Sequence, residues 1–251
     1  MHVLQSNRLF CAIVAGILLV VAMASPVHSS IIFSATSGDL GASVSFEQTE
    51  DMLVVTLTNT SAADVLVPAD VLTGVFFDLA GNPQLSALSA IIGPGSTLNW
   101  SEAGEDNSLG SQWAYVGEID NLFIMASQGI SASGLGIFGP HDVFPGGPGV
   151  GNGPQGLDFG LLSAGDDLAT GNNQVTGRVP LVKDSMVLTL NGLPEDFILT
   201  PQSISNVAFQ YGTDLSEPRF DAPPAEIPEP MTMSLTILGA GLCLRTRSAR
   251  R

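Results

Sequence analysis

The stretch ASVSFEQTEDMLVVTLTN, residues 42–59, decides the fold class. Its first part alternates apolar and polar side chains, which puts Ala42, Val44 and Phe46 on one face of a β-strand. The polar break at 48–51 is followed by residues 53–59, which are rich in β-branched side chains. The stretch therefore predicts a β-hairpin.

Four further segments carry the same signature of short strands bounded by Gly, Pro and Asn: residues 74–78, 112–116, 186–190 and 207–211. In the last of them Val207, Phe209 and Tyr211 share one face. Few segments show a sustained helical period. We therefore expect an all-β protein, a β-sandwich of the jelly-roll or immunoglobulin-like kind, over residues 25–221. Whether this body forms one β domain or two stays open.

Residues 129–177 hold much of the glycine and resist the strand pattern. The run at 144–154, FPGGPGVGNGP, can form neither a helix nor a central strand, because proline lacks a donor and glycine weakens both elements. We interpret 129–177 as a long Gly-rich surface loop between strands, with a boundary between two halves as the alternative.

The charge distribution excludes one class of partner. All 24 acidic residues lie between Asp39 and Glu229, whereas only Arg178, Lys183 and Arg219 are basic there, a net charge of −21. Such a surface repels phosphates, so no nucleic acid is expected to bind. Divalent cations and cationic surfaces remain as charged partners.

Catalytic chemistry is poorly represented. Both cysteines, Cys11 and Cys243, lie in the terminal segments, so the body has no thiol nucleophile, disulfide or cysteine zinc site. His141 stands alone without a Ser-His-Asp pattern. We expect no enzyme and name no catalytic residue. Trp100, Trp113 and Tyr115 could stack on a sugar, but core packing is the expected role.

One acidic loop could bind a cation. Asp166, Asp167, Asn172 and Asn173 supply carboxylate and amide oxygens of the kind that calcium prefers. Their spacing is not that of an EF-hand. The alternative is a turn in which Asp and Asn side chains bond their own backbone. Calcium is the candidate metal, and no other cofactor is expected.

The N-terminus has the pattern of a secretory signal peptide. Arg8 precedes an apolar run over residues 9–24, and Ala22 and Ala24 are the small residues that a signal peptidase reads. The predicted signal peptide covers residues 1–24, with residues 27–29 as an alternative cleavage site.

The C-terminus combines three features. A Pro-rich spacer, residues 222–230, ends in Pro228-Glu229-Pro230, and an uncharged 14-residue run at 231–244 follows. The segment 231–251 then ends in four arginines, Arg245, Arg247, Arg250 and Arg251. As a helix the run spans about 21 Å, short of the roughly 30 Å hydrocarbon core. The arginines favour a cytoplasmic end, so we expect a short C-terminal helix that stops temporarily in the membrane.

These termini together resemble the PEP-CTERM sorting signal of Gram-negative bacteria. The resemblance implies that an exosortase recognises the tail, cuts it near Pro-Glu-Pro and passes the protein to the envelope, cell surface or exterior. The segments 134–140, 156–160, 163–167 and 209–213 resemble XDD-type exosortase-dependent surface proteins, whose Asp-Asp motif corresponds to Asp166-Asp167.

The expected function is therefore a non-catalytic surface or extracellular-matrix protein, processed by signal peptidase and exosortase. It would contact the inner membrane only through the tail before cleavage. The alternative is a surface module that binds carbohydrate or calcium, with an extracellular polysaccharide as partner.

Overall fold

The computed structural model describes residues 30–148, 153–176 and 179–225. These residues form an all-β structure of two sheets, as expected. The strands are β1 (Ile31–Ser37), β2 (Leu40–Thr49), β3 (Met52–Asn59), β4 (Leu72–Leu79), β5 (Ser86–Ile92), β6 (Thr97–Asn99), β7 (Ala114–Val116), β8 (Gln128–Ser131), β9 (Leu161–Leu162), β10 (Leu181–Lys183), β11 (Ser185–Asn191), β12 (Ile204–Tyr211) and β13 (Arg219–Asp221). Four 3₁₀ turns and one helical turn, Asn173–Thr176, complete the regular structure described.

The first sheet is antiparallel, with strand order β1-β2-β3-β11-β5. Its centre is the predicted hairpin, in which Ala42 pairs with Asn59 and Thr49 pairs with Met52. The alternating apolar residues of β2 point inward and are fully buried, as the period-2 pattern requires. The hairpin prediction is confirmed.

The second sheet has the order β13-β12-β4-β9-β10-β6, and β7 and β8 extend it alongside β4. The short pair β9 and β10 is parallel, and the other pairs are antiparallel.

The predicted strands at 74–78, 186–190 and 207–211 correspond to β4, β11 and β12. The fourth, at 112–116, begins as a 3₁₀ turn, Gly110–Gln112, and becomes β7.

One apolar core draws residues from both sheets. The Phe46 ring from the first sheet meets Phe77 from the second, edge to face, with centroids 5.1 Å apart. Each fully buried phenylalanine of this kind contributes about 1.5–3 kcal/mol through burial. The aromatic contact therefore joins the two sheets at the centre of the core.

The second sheet is buried on both faces around β4 and β12. Val207, Phe209 and Tyr211 face the main core as predicted, but Ala208 is also buried on the other side. A second apolar cluster covers that side; its buried members are Phe76, Ala114, Ile124, Ala126, Leu135, Phe138 and Ala208. The burial of β4 is accordingly almost continuous rather than alternating.

The interpretation of residues 129–177 as a surface loop is wrong for much of that stretch. It contains part of β8 and all of β9, and Phe144 is fully buried in the main core. Phe144 donates its N–H to Trp113 O at 3.0 Å, and the Ser111 N–H donates to Gly146 O at 2.6 Å. Gly and Pro limit regular pairing here, but hydrogen bonds to the segment before β7 hold the chain against the core. Strand β11 follows residues 129–177 in the sequence. In the first sheet it lies between β3 and β5, which both precede that stretch.

The predicted terminal features lie outside the described residues. They are the signal peptide 1–24 with Ala22 and Ala24, the Pro228-Glu229-Pro230 motif, and the apolar helix and arginines of 231–251. Over the ranges that the structure does describe, no helix is long and apolar enough to cross a bilayer.

Candidate functional site

The candidate acidic residues belong to the Asp-Asp loop, which we define as residues 163–172, between β9 and the helical turn. This loop packs on the β3–β4 loop, residues 60–71. The two loops meet over a small apolar cluster in which Val65, Leu162 and Val175 are buried. The geometry therefore places Asp166 and Asp167 at a junction between segments that are about a hundred residues apart in sequence.

Asp166 is the buried member of the pair, with 3% of its surface exposed. Its Oδ1 accepts the Val65 N–H at 2.7 Å, and its carbonyl oxygen accepts Lys183 Nζ at 2.5 Å. Burial raises the pKa of the Asp166 carboxyl above its ordinary value, although the Val65 hydrogen bond and the Lys183 charge act in the opposite direction. The carboxyl is thus used to satisfy a buried backbone donor.

Asp167 is exposed and closes a turn. Its Oδ1 accepts the Ala169 N–H at 3.0 Å, which is the local side-chain bond of an Asx turn. Its own N–H donates to Asp64 Oδ1 at 3.2 Å, and Thr170 Oγ1 donates to Asp64 Oδ2 at 3.0 Å. Asp64 therefore ties the β3–β4 loop to two points of the Asp-Asp loop.

The two asparagines continue the same junction. The Asn172 N–H donates to Leu66 O at 2.7 Å, and Asn172 Oδ1 accepts the Val175 N–H at 3.3 Å. Asn173 is exposed at the start of the helical turn. The structure thus brings Asp166, Asp167 and Asn172 to one junction, which we call the clasp, and leaves Asn173 at its edge.

Sequence reasoning missed Asp64 and Val65, the partners that the clasp uses. The sequence around them carries no motif that would predict this role. Asp64 precedes an apolar pair, Val65 and Leu66, and it contacts its partners only after folding. In the part of the chain that the structure describes, no group of three or more His, Cys, Asp and Glu is arranged to hold a metal ion. The local hydrogen bonds of Asp167 and Asn172 fit the turn alternative, whereas Asp166 accepts the N–H of the remote Val65 and does not.

The other candidate residues have separate positions. Trp113 is fully buried and Tyr115 is 7% exposed, so the expected core role of these two is confirmed. The core role expected of Trp100 is wrong, because 39% of its surface is exposed; its backbone has a left-handed φ of 59°. His141 is exposed in a turn where Asp142 Oδ2 accepts the Gly139 N–H at 2.7 Å.

The clasp can hold two loops together, and Trp100 offers a partly exposed aromatic face. Both features are inferred from the geometry of this chain alone. No protein family, curated protein sequence or solved structure matches the chain.

Proposed function

We propose that this chain is an exported bacterial surface or extracellular-matrix protein without catalytic activity, sorted and cleaved at its C-terminus by an exosortase. The observation that carries the proposal is the order of features in the tail: Pro228-Glu229-Pro230, an uncharged run and terminal arginines, on a chain with an N-terminal signal pattern. The tail would stop in the inner membrane until it is cut.

The fold supports this proposal by the way the chain leaves the body. Strand β13 lies at the edge of the second sheet, and the described residues end at Ala225, four residues after this strand. The Pro-Glu-Pro motif begins three residues later. A Pro-rich spacer is stiff and extended, so it would hold the motif clear of the body for a processing enzyme.

In this proposal the body is a β-sandwich of the jelly-roll or immunoglobulin-like kind. The shared core of the two sheets supports the sandwich. The clasp supports a structural role for Asp166 and Asp167, because each carboxylate already accepts a backbone N–H. An acidic surface with net charge −21 favours solubility outside the cell.

The test is the intact mass of the protein recovered from the envelope and medium of its native host. We expect a chain that starts near Ser25 and ends near Pro-Glu-Pro. A triple Pro228→Ala, Glu229→Ala, Pro230→Ala variant should keep its tail. The matched control, Pro223→Ala with Pro224→Ala, changes the same spacer outside the motif and should be cut. A wild-type mass that still includes Arg251 would refute sorting by cleavage.

A binding module for calcium or carbohydrate is the second candidate. Calcium is the cation to test at the clasp, because the Asp64 carboxylate lies beside the Asp-Asp loop and carboxylate oxygens are ligands that calcium prefers. If calcium binds there, it should raise the melting temperature more than magnesium at equal ionic strength. The Asp166→Ala, Asp167→Ala variant should lose that difference. Equal melting in both ions would exclude a calcium site.

The exposed Trp100 favours carbohydrate, because an aromatic face can stack on a sugar ring. Extracellular polysaccharide from the native host should then quench or shift tryptophan emission, and Trp100→Ala should abolish the change. Trp113 serves as the internal reference, because it is buried in the core. Tryptophan emission that does not change when the polysaccharide is added would exclude carbohydrate binding at Trp100.

A further inference from the structure

One turn exposes three large apolar side chains within four consecutive residues. Leu122 is 99% exposed, Phe123 69% and Met125 87%. We call residues 121–125 the apolar turn. Scattered apolar residues on a protein surface are normal, but a contiguous group of this kind marks an interaction site.

The conformation of the apolar turn is defined by its own contacts. Asn121 Oδ1 accepts the Phe123 N–H at 2.8 Å, and the Ile124 N–H donates to Asn121 O at 3.2 Å. Ile124 is only 8% exposed and packs into the second apolar cluster. This anchor points inward while its three neighbours project into solvent. The exposed group is therefore presented by a defined turn.

The apolar turn lies beside the place where the chain leaves the body. Ile124 and Met125 line a cavity of about 460 Å³, whose lining also includes Val207 and Ala208 of β12. Ala222 and Pro224, from the last described segment, line the same cavity. The apolar turn and the exit of the C-terminal tail thus share one face of the molecule.

The length of the spacer limits how far this face can move from an inserted tail. Five residues, 226–230, separate Ala225 from Met231, where the uncharged run begins, so the chain takes six residue-to-residue steps between them. Six steps reach at most about 20 Å when the chain is fully extended. If the run at 231–244 lies in a bilayer, Ala225, where the tail leaves this face, is held within that distance of the membrane.

We propose that the apolar turn is a lipid-contacting surface that inserts into the interface of a zwitterionic bilayer while the tail is in the membrane. The inference rests on the proposed function, because the tail supplies the tether. Apolar side chains gain free energy on entering the interface, and a tether raises their effective concentration there. Glu118 and Asp120 flank the apolar turn, and the body is strongly acidic, so zwitterionic lipid is favoured over anionic lipid.

The test uses the full chain, expressed and exported in a bacterial host that lacks an exosortase, so that the tail stays attached. Three single-cysteine chains are labelled with an environment-sensitive dye and reconstituted with phosphatidylcholine vesicles that carry a lipid-attached quencher. All three carry Cys11→Ser. The first keeps Cys243 in the tail; the other two carry Cys243→Ser with Phe123→Cys or with Thr97→Cys. Thr97 is exposed on β6, at the opposite edge of the second sheet from β13.

We expect the lipid quencher to reach the dyes at positions 243 and 123 and to leave the dye at position 97 unquenched. Quenching at 243 without quenching at 123 overturns the inference and leaves the proposed function intact. Absence of quenching at 243 overturns the membrane stop of the tail and the inference with it. A blue-shifted dye at 123 that the quencher cannot reach would mean that a second copy covers the apolar turn, which also overturns the inference.

A second variant separates lipid contact from mere proximity. Leu122→Ser with Met125→Ser, added to the chain labelled at 123, should reduce the quenching there to the level seen at 97. The melting temperature should stay unchanged, because both side chains are almost fully exposed. Ile198→Ser is the matched control; Ile198 is 75% exposed and does not line the cavity. If quenching at 123 survives the double substitution, the apolar side chains do not cause the contact.

Discussion

At the residue scale, we expect the loss of the Asp166 side chain to lower the free energy of unfolding more than the loss of any other side chain in the clasp. The Asp166→Ala change leaves the Val65 N–H buried without its acceptor, which costs about 1–3 kcal/mol. The matched change Asp167→Ala removes an exposed carboxylate and should cost well under about 1 kcal/mol. Urea unfolding of the two variants measures the difference. If both variants lose the same free energy of unfolding, the buried acceptor at Asp166 contributes no more to stability than the exposed carboxylate of Asp167.

The same carboxyl should also leave a signature in the pH dependence of stability. Its folded-state pKa is raised above the ordinary value of 3.8 by burial, so the folded protein holds this proton more tightly than the unfolded chain does. Its stabilising contribution is therefore present below pH 3.8 and is lost as pH rises through the folded-state pKa.

The Asp166→Asn variant lacks this titration. We expect its free energy of unfolding, measured relative to wild type, to increase between about pH 3 and about pH 7. Gly165→Ala changes no ionisable group and should show a constant difference over the same range. A relative stability of Asp166→Asn that stays flat or falls would contradict the assignment of the raised pKa to burial.

At the scale of elements, the Gly-rich stretch is held to the core through Gly110. A Cβ at this position would collide with the Pro145 backbone carbonyl, which cannot move as a side chain could. Gly110→Ala should therefore displace the segment that carries Phe144 and cost about 1–3 kcal/mol. Gly165→Ala, where a Cβ meets nothing within 4 Å and φ is not positive, should be close to neutral.

Thermal unfolding of these two glycine variants measures the contrast. The near-ultraviolet circular dichroism of Trp113 provides a second signal, since Trp113 O accepts the Phe144 N–H in the affected contact. If Gly110→Ala melts like Gly165→Ala, the 144–148 segment does not depend on the close approach.

At the scale of the whole molecule, self-repulsion among like charges should dominate the salt response. The span from Asp39 to Glu229, with net charge −21, is destabilised by its own field, and salt shortens the range of that field from about 30 Å at 0.01 M to about 8 Å at 0.15 M. We expect the melting temperature to rise by roughly 2–4 °C over this interval, on the order of 1 kcal/mol. Sodium and potassium chloride should act equally, because screening does not distinguish them. A falling melting temperature would contradict this prediction.

The sequence by itself determined the features that depend on near neighbours. The alternation at Ala42, Val44 and Phe46 selects which face of β2 is buried, because side chains of a strand point to opposite faces in turn. The polar break at 48–51 and the β-branched run after it complete the hairpin. These patterns need no distant partner, so they can be recognised before the fold is known.

Only the tertiary structure determined the strand pairings and contacts that join segments distant in the sequence. The edge strands β1 and β13 and the two-residue strand β9 carry too little periodicity to stand out, and pairing with neighbours defines them. The clasp joins Asp166 to Val65, 101 positions earlier in the chain. Phe144 is buried although glycine and proline follow it, because Gly110 lets two backbones approach. A buried hydrogen bond or close approach between remote segments leaves no local trace, since its free energy depends on a partner that only the folded chain provides.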